Sequence, residues 1–190
     1  MKTARVNRSQ TIINAFASVG LLLAAFGCQG IGVGDPCIPE DEYRTSFGGY
    51  SPDEVNVESR SFQCETRVCL VNKFQGRVSC PYGQDNGKGG CKTPDEVEDI
   101  NVPVSAQLKD RRPNDAVYCS CRCDSPPGTG RGNAPYCECP EGFSCENLID
   151  NIGLGNKQLA GAYCVRNGTN VESDALNGPR CNAAQKNCEQ

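Results

Sequence analysis

The sequence predicts a small disulfide-rich domain, mostly β and loop, with low helix content apart from an N-terminal signal segment. Three observations carry that class. Fifteen cysteines are spread through 190 residues. From Cys28 onward, Leu, Ile, Val and Phe together make up 27 of 163 residues. That is near one-sixth, and below about one-fifth burial does not offset the conformational entropy of a charged chain. No apolar pattern of helical period is sustained beyond the first 27 residues. Something other than a large core must therefore hold the fold, and disulfides, at about 2 to 4 kcal/mol each, are the available means. Such a cysteine density belongs to an oxidising compartment.

Residues 1–27 differ from the rest. Lys2, Arg5 and Arg8 make a basic start without an acid, and Thr11 to Phe26 is an apolar run interrupted by Asn14 and Ser18. This is the anatomy of a secretory signal, and the run is shorter than the roughly 20 residues a spanning helix needs. Its removal leaves 16 basic against 23 acidic side chains, which argues against nucleic acid as a partner. Glu40-Asp41-Glu42 and the acids from Asp95 to Asp99 read as solvated surface.

The segment Leu21-Leu22-Leu23-Ala24-Ala25-Phe26-Gly27-Cys28 resembles the cleavage region of bacterial lipoprotein precursors. In that family a small residue precedes a cysteine whose thiol receives diacylglycerol, and a peptidase then cuts before it. Gly27 and Cys28 match, while Ala25 stands where leucine is usual and Phe26 where alanine or serine is usual. The resemblance covers residues 1–28. It implies lipidation of Cys28, a membrane partner reached through that lipid, and a bacterial cell envelope. Gln29 in place of aspartate after the lipidated cysteine implies the outer membrane. Ala25-Phe26-Gly27 also satisfies an ordinary small-x-small secretory site. Parity favours the lipid. With Cys28 acylated, fourteen cysteines remain: Cys37, Cys64, Cys69, Cys80, Cys91, Cys119, Cys121, Cys123, Cys137, Cys139, Cys145, Cys164, Cys181 and Cys188. All can then be bridged, whereas an ordinary Cys28 leaves an odd thiol in an exported protein.

Residues 28–36 are rich in glycine and read as a lipidated flexible tether. The stapled domain then runs over residues 37–190, in two lobes at about 37–91 and 119–190. Between them Lys92 to Tyr118 lacks cysteine and carries Pro94, Pro103 and Pro113. Five of the bridging cysteines precede this gap and nine follow it. Both counts are odd, so if all are paired within the chain at least one bridge must join the lobes. Short β-rich runs lie at Arg67 to Phe74, Gly76 to Cys80 and Ala116 to Cys123, punctuated by Gly and Pro. In a strand Cys119, Cys121 and Cys123 face one side at a spacing near the limit for bridging, so each is expected to find a partner elsewhere.

A hairpin closing over Asp124 to Pro135 in a single antiparallel register would place Cys123 opposite Cys137 and Cys121 opposite Cys139. Cys137 to Cys145 is instead similar to the tail of an EGF-like module, a resemblance of nine residues that implies a Cys139–Cys145 bridge. CxCxC and CxC clusters also resemble thiolate metal sites of the metallothionein type. Export, the absence of His and the absence of any CxxC pair favour disulfides over that alternative.

Without His, a Ser or Cys nucleophile lacks its usual base, and no GxSxG or phosphate-loop pattern occurs. An exported enzyme working through paired carboxylates is a further alternative, but 23 acids make close pairs inevitable. No catalytic residue, cofactor or metal ligand is singled out. Arg131, within Pro126 to Asn133, sits in a cysteine-framed loop of the kind protease inhibitors present, although its Gly and Pro neighbours suit a connector. The expected function is that of a membrane-anchored, non-catalytic interaction or envelope-structural module with a protein or glycan partner.

Overall fold

The computed structural model describes residues 32–150, 159–169 and 177–188. The signal segment, Cys28 and the start of the tether lie outside the described residues. Among the described residues the helical elements are two short pieces, a 3₁₀ turn at Glu40–Tyr43 and α1 at Pro113–Ala116. The rest is β-strand and loop, held by seven disulfides that take up the fourteen cysteines from Cys37 to Cys188.

The first sheet has the order β1 (Val55–Glu58), β2 (Val68–Asn72), β3 (Val117–Ser120), all antiparallel. Its centre is β2, Val-Cys-Leu-Val-Asn, which is buried from Cys69 onward. A short strand rich in β-branched residues between two neighbours suits that place. Cys69 lies opposite Cys119 in the register, yet each bridges away from the other, to Cys37 and Cys64. These four half-cystines pack with Tyr50, Val71, Phe74, Ala116 and Val117 as the main apolar cluster.

The run from Gly76 to Cys80 is not the strand its composition suggested. It turns so that Arg77 forms an isolated bridge with Cys80. The cause is the wholly buried pair of Arg77 and Glu42. Arg77 donates to the carbonyls of Phe47 (2.7 Å), Arg44 (3.2 Å) and Glu42. Glu42 accepts from the Val78 and Ser79 amides at 2.7 and 3.2 Å and from the Ser79 hydroxyl at 2.6 Å. One carboxylate thus satisfies the amides that a neighbouring strand would otherwise bond.

The cysteine-free gap is folded into this region. Ile100, Val104 and Leu108 are buried, and Ile100 and Val104 pack on Cys80 and Cys91. Gln84 bonds the carbonyls of Ile100 (2.6 Å) and Val102 (2.9 Å) and the Cys91 amide (3.1 Å). Gly83 can be only glycine: its φ is +63°, and a Cβ would stand 2.4 Å from the Val104 carbonyl oxygen. Arg111, also buried, donates to the carbonyls of Asn72 (2.6 Å), Lys73 (3.0 Å) and Thr169.

The second sheet has the order β4 (Arg122–Asp124), β6 (Gly161–Arg166), β5 (Phe143–Ile149). The chain passes between sheets at Cys121, so β3 belongs with β1 and β2 although it follows the gap that the cysteine count had taken as the divide. Cys119 therefore joins the first cluster, and Cys121 and Cys123 the second. The hairpin register proposed for Asp124 to Pro135 does not form. β4 pairs with β6, and the bridges are Cys121–Cys137, Cys123–Cys145 and Cys139–Cys164. The EGF-type Cys139–Cys145 bridge is absent for the same reason. Pro135 and Pro140 flank the CxC segment and have no amide to give a ladder, so it keeps a single strand-like bond, from the Cys137 amide to the Arg122 carbonyl (3.1 Å).

The sheets meet along β3 and β6. The Ser120 hydroxyl donates to the Cys164 carbonyl (2.8 Å), and the Arg166 amide donates to the Tyr118 hydroxyl (2.9 Å). The tether is ordered earlier than expected. The Gly34 amide donates to Cys119, the Cys119 amide to Asp35, both at 2.8 Å, and Pro36 forms a bridge with Tyr118. Of the seven disulfides, Cys64–Cys119 is the one that joins a cysteine before the gap to one after it.

Candidate functional site

A groove of about 320 Å³ opens beside the first sheet. Each wall is set by chain that a disulfide pins. On one side Ile38 follows Cys37, whose bridge to Cys69 ties it to β2. On the other, Phe62 and Gln63 precede Cys64, whose bridge to Cys119 ties them to β3. The walls are also bonded to each other. Gln63 donates from Nε2 to the Ile38 carbonyl (2.6 Å) and accepts the Ile38 amide on Oε1 (3.0 Å), so one side chain stands in for a strand partner.

The floor is positioned by β1. Glu58, the last residue of β1, accepts the Glu40 amide on Oε2 at 2.9 Å and so caps the free amide at the start of the 3₁₀ turn. That turn presents Tyr43 at the rim. Burial, and then the nearby charges of Glu40 and Asp41, push the Glu58 carboxyl above its ordinary value. Asp41 is paired with Arg44 at 3.2 Å.

Two aromatic rings face outward here. Phe62 is 89% exposed and Tyr43 45%, and among the described residues the remaining exposed large apolar side chain is Val97. The Arg67 guanidinium lies 4.9 Å from the Phe62 ring centre, leaving the opposite ring face to solvent. Exposed rings framed by Glu40, Glu58 and Arg60 on a preorganised backbone suit recognition, since little entropy is lost when such a surface binds. A second hollow, about 460 Å³, lies on the other side of Ile38 between Val78, Lys92, Thr93 and Pro113. A third, about 470 Å³, lies between Tyr82, Gln84, Pro103 and Arg180 and exposes mostly polar atoms.

Ten of the fourteen cysteines converge in two places. The sulfurs of Cys37, Cys64 and Cys119 gather in the first cluster, and those of Cys121, Cys137 and Cys164 and of Cys123, Cys139 and Cys145 in the second. The spacing is that of metal ligands, but in the bridged state these sulfurs are not thiolates, the form a metal binds. Fourteen bridged cysteines place the domain in an oxidising, extracytoplasmic compartment. Cys28 lies outside the described residues.

The carboxylates of Glu58 and Glu42 are both committed to backbone amides. Arg131 folds back on its own loop, pairing with Asp124 at 3.3 Å and donating to the Cys123 carbonyl at 3.2 Å, so it is not held out as a scissile residue would be. The groove was not among the sites read from the sequence. Its one signal there was Phe62, an aromatic residue whose neighbours two positions away, Arg60 and Cys64, continue no apolar pattern. No protein-family profile matches the chain, and no characterised protein and no solved structure is significantly similar to it.

Proposed function

We propose that this protein is an exported, lipid-anchored, non-catalytic binding module, held to the bacterial outer membrane through Cys28 and engaging a protein or glycan partner of the cell envelope through the groove at Tyr43 and Phe62. The observation that carries the reading is Phe62, a phenylalanine left 89% exposed on a wall pinned by a disulfide. An aromatic residue so exposed gives the fold little beyond its contact with Arg67, and its open apolar face suits the C–H face of a sugar ring or an apolar side chain of a partner. Two or three acyl chains on Cys28, at about 0.8 kcal/mol per buried methylene, would make the anchor effectively permanent.

The test has two arms. Cys28→Ser is expected to move the protein from the membrane to the soluble fraction or to leave its leader uncleaved, and unchanged fractionation and processing refute the anchor. Binding of the purified domain to arrayed envelope glycans and to membrane-protein extracts is the second arm. Phe62→Ala is expected to weaken the strongest signal at least about tenfold, the loss of a buried aromatic anchor, without changing the melting temperature. Equal binding by wild type and variant removes the groove from the proposal.

A further inference from the structure

The six half-cystines of the second sheet form a continuous row of sulfur neighbours. Cys164 Sγ lies 3.6 Å from Cys121 Sγ and 3.7 Å from Cys137 Sγ, although its own bridge is to Cys139. The sulfurs of Cys123, Cys139 and Cys145 lie within 4.8 Å of one another, although Cys139 bridges neither of the other two. Three bridges thus follow one another as Cys145–Cys123, Cys139–Cys164 and Cys121–Cys137. Exposure varies along the row: Cys145 is exposed, Cys137 and Cys139 are half-buried, and Cys123, Cys164 and Cys121 are buried. In the first cluster, by contrast, Cys37, Cys64, Cys69 and Cys119 are all buried, so no sulfur there is open to attack from outside.

We propose that this row is a site of thiol–disulfide exchange, taking a small external thiolate at Cys145 and passing the displaced thiolate to Cys137. The external thiolate attacks Cys145 Sγ. A bond to the reagent forms as Cys123–Cys145 breaks, and the electron pair leaves on Cys123. Cys123 attacks Cys139 and expels Cys164, and Cys164 attacks Cys121 and expels Cys137. Each step makes one S–S bond and breaks one, so nothing is oxidised or reduced overall. The products are a mixed disulfide at Cys145, bridges Cys123–Cys139 and Cys121–Cys164, and a thiolate on Cys137.

Proximity drives the relay and solvation gives it direction. Sulfurs held in contact exchange as an intramolecular reaction, with the advantage in effective concentration that implies. A thiolate on buried Cys123 or Cys164 lacks water, whereas Cys137 is partly solvated. Two guanidinium groups also lie beside Cys137, that of Arg131 being paired with Asp124 at 3.3 Å. Arg122 and Arg131 both stack on the ring of adjacent Tyr136, at 5.2 and 5.1 Å, and Arg122 Nε is buried with no hydrogen-bond partner.

Brief exposure of the oxidised protein to glutathione, an acid quench and alkylation with N-ethylmaleimide test the relay. Cleavage after Glu138, Glu141 and Glu146 separates Cys137, Cys139 and Cys145 for mass spectrometry. Glutathione on Cys145 together with maleimide on Cys137 in the same molecules is the expected result. Maleimide on Cys123 or Cys164 instead means that the thiolate stays where it is first released and overturns the relay. Absence of any glutathione on Cys145 overturns the site itself.

Discussion

The two sheets each have three antiparallel strands, and they are held by different means. Around the first, nine buried residues form an apolar cluster that includes Tyr50, Val71, Phe74 and Val117. Buried polar side chains, Glu42, Arg77, Gln84, Gln107 and Arg111, replace missing strand partners by bonding backbone directly. The second sheet buries Cys121, Cys123, Ala162 and Cys164, with Val33, Cys137, Cys139 and Phe143 packed against them. Five of those eight side chains are half-cystines. A region with almost no aliphatic core can still fold when cross-links restrict its unfolded state. Its order is expected to depend more on its bridges than that of the first sheet, where four of the nine clustered residues are half-cystines.

Loop length and core content separate cleanly in one pair of variants, which carries the largest expected effect. Cys139→Ser with Cys164→Ser opens a 25-residue separation, and Cys37→Ser with Cys69→Ser a 32-residue one. Chain entropy makes the two nearly equal, about 3.5 kcal/mol each. The structure expects unequal outcomes. Without Cys139–Cys164 the second sheet loses amide-exchange protection throughout Tyr163 to Val165, while without Cys37–Cys69 protection at Leu70 and Val71 persists at reduced stability. Equal loss of protection in both variants would show that the two sheets do not differ in what holds them.

Within the first sheet, Arg77→Met leaves Glu42 buried without its cation and is expected to cost about 3 to 5 kcal/mol. Adding Glu42→Gln removes the stranded charge and is expected to restore part of the loss, a coupling that denaturant unfolding of the double-mutant cycle measures. Additive losses would mean that the pair contributes only through its separate bonds to backbone. Amide exchange in β5 and β6 is expected to change less than in β2 and β3.

The smallest effect lies at the groove. Burial raises the Glu58 carboxyl above the ordinary 4.5, so the folded chain holds that proton more tightly than the unfolded chain. Its stabilising contribution is therefore full below 4.5 and is lost as pH rises through the raised folded value. Glu58→Gln cannot ionise and can still accept the Glu40 amide. The variant is expected to show a flatter stability profile just above pH 4.5 and to gain stability at neutral pH, by less than about 1 kcal/mol for a group so near water. A loss at neutral pH would show that the charged carboxylate supports the groove.

Particular residues show how far the sequence could be read. The apolar, β-branched run around Leu70 announced β2, because a strand buried between two neighbours needs little beyond local composition. Gly76 to Cys80 had similar composition and failed as a strand, because Arg77 finds its partners 30 to 35 residues away, at Phe47, Arg44 and Glu42. Phe62 carried no period to mark it as surface or core. The groove beside it exists because Cys37–Cys69 and Cys64–Cys119 bring residues 38 and 63 together.

What the sequence determined by itself is a matter of composition and counting. Scarce aliphatics and many cysteines specify a stapled β and loop domain in an oxidising compartment, since no other source of stability is present in sufficient amount. Odd cysteine numbers on either side of the gap require a bridge across it once all fourteen pair within the chain, whatever the geometry. Which sulfurs pair was decided only by the tertiary structure. A disulfide needs Cα atoms about 4.4 to 6.8 Å apart with converging side chains, and the strand order sets those distances. Cys145 and Cys164 stand opposite each other in β5 and β6, as Cys69 and Cys119 do in β2 and β3, and none of the four bonds its facing partner. Each reaches instead into the layer its side chain faces, a direction given by the twist and packing of the sheets and not by spacing along the chain.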